Sequence, residues 1–327
     1  MAACSRNRFP LALVIAACTA SLAHAADPVK DYPLRPVRLV SAFAAGGNSD
    51  MVGRLLAPKL AERLGQNFIV ENRPGAGSMV GTAYVANATP DGHTMLVMSG
   101  AFTAQAAVMK TLPFEPLRDF DWISMVVTYP FVVVVNAGSP IQTVGDLIAA
   151  AKRNPGKLNY GSVGVGSVFQ LAAELFNTMA GTDILHVPYR GSAEPMTELI
   201  AGRIDVIFTT LTGVYPQIQA NRVRAIAVAS LERSPQLPNV PTVAQTLPGY
   251  EVTSFVGLAA PRGTPRAVIA RLNRELRAVL GEPDIRKRFI DLGGEARPSS
   301  PEEMGRHLEG EIAKWKRIVA EKKIEIQ

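Results

Sequence analysis

A strand, a glycine turn and a helix occur twice in this chain, far apart, and that recurrence limits the folds open to it. The first copy begins with the apolar run Val37-Arg38-Leu39-Val40-Ser41-Ala42-Phe43. It turns through Ala44-Ala45-Gly46-Gly47-Asn48-Ser49-Asp50 and continues as a helical pattern from Met51 to Leu64. The second copy is Asn159-Tyr160-Gly161-Ser162, then Val163-Gly164-Val165-Gly166-Ser167, then a helix from Val168 to Phe176. Strand–turn–helix is the opening of an α/β unit. Glycines let the backbone take φ > 0 and approach a ligand without a Cβ in the way. Asn48, Ser49 or Asp50 can cap the first helix, and Ser167 the second. The first N–H groups of each helix lack intrahelical partners and carry partial positive charge, so each turn is a candidate anion site. Two such turns predict two α/β lobes that aim helix starts at a shared cleft.

The segments between the copies fit that plan. Asn67 to Asn72 and Thr94 to Met98 read as strands, with a helix from Met79 to Ala88 between them, and the β-α-β-α-β alternation predicts a parallel sheet covered by helices. In such sheets ligands sit beyond the carboxyl ends of strands, where Phe43 to Asp50 and Ser99 to Thr103 lie. The β-branched run Phe131 to Asn136 marks the crossing into the second lobe. A helix follows from Thr143, with Asp146 on its first turn. Strands at Ile184–Tyr189, Ile204–Phe208 and Arg224–Ala229 belong to that lobe, and Phe255 to Pro261 returns to the first. Helices from Pro265 to Leu280 and Pro301 to Ala320 finish the chain.

Residues 1–25 read as a secretory signal: Arg6 and Arg8, then the apolar Phe9 to Ala23, then the cleavage site Ala23-His24-Ala25. The apolar stretch is too short for a membrane span. Ile15-Ala16-Ala17-Cys18 offers a second reading, a lipoprotein signal in which Cys18 becomes the lipidated first residue. Both cysteines, Cys4 and Cys18, precede Ala26, so the mature chain has no disulfide. The formal charge of +6 (34 basic, 28 acidic) falls to +4 once Arg6 and Arg8 are removed. That mild excess is scattered along helices and predicts no nucleic-acid surface.

Signatures of catalysis are scarce. No G-x-S-x-G elbow, H-E-x-x-H pair or Walker A loop occurs. His93, His186 and His307 lack metal-ligand spacing, and His186 reads as a structural histidine in a strand. Gly75 to Gly81 hints at a dinucleotide loop, but it follows the second strand and its spacing is G-x-G-x-x-x-G. No catalytic residue, cofactor or metal is assigned.

Several stretches, in this order, are similar to the substrate-binding proteins of the tripartite tricarboxylate transporter system, the Bug family of periplasmic solute receptors. They are Phe43 to Asp50, Val70-Glu-Asn-Arg-Pro-Gly-Ala-Gly77, Thr89-Pro-Asp-Gly92, Gly161 to Ser167, Val187-Pro-Tyr-Arg-Gly191 and Ala259-Ala-Pro-Arg-Gly-Thr-Pro265. The resemblance implies a two-lobed periplasmic binding protein of type II, a Venus flytrap with a parallel or mixed sheet flanked by helices in each lobe. It divides the chain into residues 26–129 plus 253–327 as lobe 1 and 130–252 as lobe 2, hinged near Tyr129 and Ser254. It implies a small organic acid as ligand, an inner-membrane permease as partner, a periplasmic location and a monomer. Presentation of the ligand-bound form to a membrane sensor kinase stays open beside transport, and an enzyme using the same cleft is the remaining class.

Turns and strand ends together nominate the ligand-binding residues: Phe43, Ala45, Gly46, Gly47, Asn48, Ser49 and Asp50; Ser99 and Gly100; Ser162, Gly164, Gly166 and Ser167; and Tyr189, Gly191 and Thr209. Asp50 is better suited to organising its loop than to meeting a carboxylate, and Arg190 reads as a rim residue. Three positions depart from the family pattern. Ala42 stands where a proline is usual, Gln170 where a histidine is usual, and Thr209-Thr210 where an acid often follows the strand. The last departure predicts an acid without an essential ammonium group.

Overall fold

The structure, a computed structural model, describes Met1 and residues 32–189 and 193–325. The export signal, the Cys18 alternative and Arg190, Gly191 and Ser192 lie outside the described residues. The first lobe opens with β1 (Val37–Ser41), α1 (Asn48–Leu64), β2 (Phe68–Asn72), α2 (Met79–Ala86), β3 (Thr94–Ser99) and α3 (Ala101–Val108). The long β4 (Phe120–Asn136) leads into α4 (Val144–Arg153), β5 (Asn159–Ser162), α5 (Val168–Ala180), β6 (Leu185–Pro188), α6 (Ala193–Ile200), β7 (Val206–Thr210), α7 (Leu211–Gln219) and β8 (Val223–Val228). The chain returns through β9 (Thr253–Pro261) and ends with α8 (Arg266–Gly281), α9 (Pro283–Asp291), β10 (Glu295–Ala296) and α10 (Pro301–Glu321).

Both sheets are mixed. In the first, β2, β1 and β3 are parallel, and β9 and β4 join antiparallel. In the second, β6, β5 and β7 are parallel, and β4 runs antiparallel to β7 and β8. Alternation along each strand gives each sheet two buried faces. Leu39, Met95 and Val97 pack under α1 and α8, while Val40, Leu96 and Met98 face Phe102, Phe255 and Met304. In the second sheet Val133 and Val135 face Leu171 and Phe176, and Val132 and Val134 face Leu199, Leu211 and Val214.

A single strand, β4, belongs to both sheets. Its 17 residues span about 56 Å at strand rise. Up to Pro130 it pairs with β9; from Phe131 and Val132 it pairs with β7 and β8. Tyr129 and Ser254 are register partners at that change of sheet. The sequence pattern predicts this strand only from Phe131. Pro130 and the polar Asp121, Ser124 and Thr128 obscured its first half, and Pro130 is tolerated where the ladder changes partners.

Two helices tie the lobes together. α10 places Met304 and Leu308 in the first core and Trp315, Ile318 and Val319 in the second. The last turns of α10 thus pack in the second core. α3 likewise buries Phe102 in the first core and Ala104, Ala107 and Val108 in the second. Among the described residues no helix is long and apolar enough to cross a membrane.

Candidate ligand-binding cleft

The first turn is built around Asp50. Gly46 takes φ +86°, and its amide donates to Asp50 Oδ2 at 2.9 Å. Arg54 closes on the same carboxylate, with Nε at 3.1 Å and Nη2 at 3.0 Å, and also reaches Asn72 Oδ1 at 3.3 Å. Asn72 in turn donates to the Phe43 carbonyl at 3.0 Å. Burial alone would raise the Asp50 carboxyl, which is 3% exposed, but the hydrogen bonds from Arg54, Gly46 and Asn72 outweigh it and hold the group below the usual carboxylate range. Asp50 is thus an anion committed to its own loop.

This corrects the expected roles of three neighbours. Gly47, not Asn48, Ser49 or Asp50, is the N-cap of α1, with extended backbone and no side-chain cap bond. The Gly46 amide is taken by Asp50 and the Gly47 amide faces the Ala44 carbonyl at 3.3 Å, so neither is a spare donor. Ser49 is buried against Ser41, Oγ to Oγ 2.8 Å. Asn48 is the residue of this turn that lines the interlobe cavity.

The second turn uses the same device with a neutral acceptor. Gly166 takes φ +76° and donates to Gln170 Oε1 at 2.7 Å. Ser167 is the N-cap of α5, as its position in sequence implied. Its Oγ accepts from the Gln170 amide at 3.3 Å and donates to the Gly164 carbonyl at 2.7 Å. That hydroxyl proton is directed to the Gly164 carbonyl. A Cβ on Gly166 would lie 2.9 Å from Val108 Cγ2, so the turn packs directly against the end of α3 from the other lobe. Ser99 and Gly100 lead into that helix, and the Gly100 amide bonds the Phe255 carbonyl at 3.2 Å.

Ser162 and His186 form a contact that sequence spacing did not reveal. Ser162 Oγ lies 2.6 Å from His186 Nε2 and accepts the Gly164 amide at 3.1 Å. The imidazole stacks on Tyr160, whose hydroxyl donates to Glu174 Oε1 at 2.6 Å. Burial pushes His186 down to about 4, so the ring is neutral at pH 7. Ser162 is 1% exposed. A buried hydroxyl beside so weak a base positions the turn; it is not an accessible nucleophile. Tyr189 donates its amide to the Ser162 carbonyl at 3.0 Å and supports the same strand end.

Between the turns lies a cavity of about 600 Å³. Asn48 reaches it from the first lobe; Ser162, Val163, Phe169, Thr209 and Thr210 line it from the second. The expected residues Phe43, Ala45, Ser99, Gly100, Gly164 and Tyr189 are not among the residues that line it. The cavity also runs between α6 and α7, past Met196, Ile200, Thr212 and Gln217 to Arg222. That wall is not legible in the sequence, because α7, with Gly213 and Pro216 in it, does not read as a helix. The threonine run at the end of β7 was the one available signal. Among the described residues the lining holds no carboxylate, and no cluster of potential metal ligands occurs. Two other cavities, behind the hinge near Pro130 and His307 and between α8 and α10, contain neither glycine turn.

The model of the tripartite tricarboxylate transporter family receptor, TctC, matches residues 52–324. The chain belongs to this receptor family. Solved structures similar to the receptor share its two-lobed α/β fold. An R. palustris protein, Rpa4515 with adipate, is 36% identical with a TM-score of 0.78, over 88% of this chain and 97% of that one. The periplasmic binding protein BugD is 33% identical with a TM-score of 0.75, over 90% and 100%. MatC from Rhodopseudomonas palustris with bound malate is 32% identical with a TM-score of 0.74, over 88% and 100%. The receptor's relatives are thus solute-binding proteins, and two of them carry carboxylates.

Proposed function

We propose that this receptor captures a small organic acid between its lobes in the periplasm and delivers it to an inner-membrane permease of the tripartite tricarboxylate type. One observation carries the reading: a cavity bounded by two helix-start turns, lined by Asn48, Ser162, Thr209 and Thr210, with no carboxylate among the described lining residues. Such a surface offers hydrogen-bond donors and partial positive charge to an anion and no counter-charge to an ammonium group. Adipate and malate bound to relatives of similar length support the same chemistry. Residues 1–25 supply the export signal for the location, and the family relationship supplies the permease.

The experiment is a thermal-shift panel on the chain from Ala26, with mono- and dicarboxylates, hydroxy acids, aromatic acids, amino acids and amines. A ligand at 100 times its Kd adds roughly 2.7 kcal/mol and raises the melting temperature measurably. The reading predicts shifts confined to acids without an amino group. Shifts produced only by amino acids or cations would overturn it.

A further inference from the structure

The two glycine turns have already committed most of their donors. The Gly46 amide is held by Asp50, the Gly166 amide by Gln170 and the Ser167 hydroxyl by Gly164. Ser49 is paired with Ser41, and Ser162 with His186. A third helix start borders the same cavity. It is that of α7, where β7 ends. Thr210 pairs with Phe131 there, beside the change of sheet in β4. Thr209, Thr210 and Gly213 all line the cavity.

No side chain caps α7. Thr210 is its N-cap residue, with extended backbone, but its hydroxyl accepts no bond from the first turn. The N–H groups of that turn therefore keep their partial positive charge without a side-chain partner. Thr209 is only 9% exposed, and its hydroxyl makes no hydrogen bond with a described residue. Both hydroxyls lie over the first turn of α7. A Cβ placed on Gly213 would stand 3.6 Å from Thr210 Oγ1 and 3.9 Å from Thr209 Oγ1. Thr212 is covered by Gly293 of the first lobe, whose added Cβ would lie 3.0 Å from Thr212 Oγ1. That leaves Thr209 and Thr210 as the hydroxyls to meet a ligand.

A buried hydroxyl without a partner costs free energy, so its place in a cavity wall calls for a partner from outside the chain. Two hydroxyl donors at the positive end of an uncapped helix suit one carboxylate. We propose that the start of α7 is the carboxylate-binding element of this cleft. Thr209 Oγ1 and Thr210 Oγ1 donate to the acid group, and the glycine turns are the frame around it. This inference rests on the proposed organic-acid reading and assigns the residues that hold the acid.

The test is calorimetric titration of the chain from Ala26 with acetate, succinate, adipate, malate and benzoate. Wild type is compared with Thr209→Val, Thr210→Val and the two serine variants, and each protein is also melted without ligand. Valine keeps the shape of threonine and removes the donor. Each valine variant is expected to raise the Kd of the acids that wild type binds by about tenfold or more, as loss of a hydrogen bond to a charged group does. Each serine variant should stay within about threefold of wild type. Without ligand, the valine variants should melt at or above wild type, because the hydroxyl removed has no partner in the protein. An unchanged Kd in either valine variant, or a weakened Kd accompanied by a lowered melting temperature, overturns the assignment while the organic-acid reading stands. Failure of wild type to bind any of the five acids overturns both.

Discussion

The Gly166 amide donates to Gln170 Oε1 at 2.7 Å, across the first turn of α5. Gly46 and Asp50 repeat the arrangement at the start of α1, at 2.9 Å. In each lobe a left-handed glycine is tied to the side chain four residues on. The turn is thereby set before any ligand arrives, which lowers the ordering cost of binding. One acceptor is an anion and the other a neutral amide, so the two sides of the cleft differ in charge.

Asp50→Ala is expected to leave the Gly46 amide and the Arg54 guanidinium without their acceptor. Loss of a buried charged acceptor should cost about 1–3 kcal/mol of stability. Asp50→Asn, which keeps an acceptor, should cost less. Urea unfolding of the three proteins checks this, and equal midpoints for Asp50→Ala and wild type would remove Asp50 from the account. Because the folded Asp50 carboxyl titrates below its ordinary value of 3.8, its contribution is complete above about pH 4 and is lost as pH falls further. The gap between wild type and Asp50→Asn should therefore narrow at low pH.

Gly166→Ala should be poorly tolerated for two separate reasons. The backbone stands at φ +76°, and the new Cβ would meet Val108 Cγ2 at 2.9 Å. The left-handed conformation alone costs a side-chain-bearing residue about 1–2 kcal/mol. Gly47 carries neither restraint: its φ is −74° and its nearest Cβ contact would be the Ala44 carbonyl at 3.4 Å. Thermal melts should show Gly166→Ala clearly destabilised and Gly47→Ala near wild type. Pairing Gly166→Ala with Val108→Ala should recover the contact part of the loss and leave the backbone part.

His186 gives the protein a pH dependence in a higher window. The unfolded imidazole takes up a proton near 6.5, and the buried one only near 4. Between those values the unfolded state binds more protons, so stability should rise with pH from 4 to 6.5 and level off above. His307, also lowered by burial, acts with the same sign. His186→Asn should flatten the His186 share of that slope. A profile identical to wild type from pH 4 to 7 would show that the ring is not buried as described.

Closure of the lobes should turn on the Tyr129–Ser254 rung of the β4–β9 ladder. Small-angle scattering should show a smaller radius of gyration at saturating ligand, as hinge closure requires. Identical profiles with and without ligand would contradict a hinge there.

The glycine turns, the two-lobed organisation and most strands and helices were readable from residue order, because each rests on a local pattern. Gly46 and Gly166 mark the turns, Thr143 and Asp146 form the capping box of α4, and the run from Phe131 to Asn136 can only be a buried strand. What was not readable depends on who takes each hydrogen bond. Glycine amides expected to face a ligand are claimed by Asp50 and Gln170, and the Ser167 hydroxyl by Gly164. The outer wall of the cleft was missed for a different reason. α7 contains Gly213 and Pro216, which argue against a helix locally, and packing of Leu211 and Val214 against the second sheet overrides them.

The most direct measurement is a crystal structure of the chain from Ala26 with a bound dicarboxylate. The account predicts one carboxylate between the two turns, within hydrogen-bond distance of Asn48 on one side and of the Thr209–Thr210 strand end on the other. A ligand seated in the cavity behind the hinge near Pro130 and His307, or touching only one lobe, would contradict it.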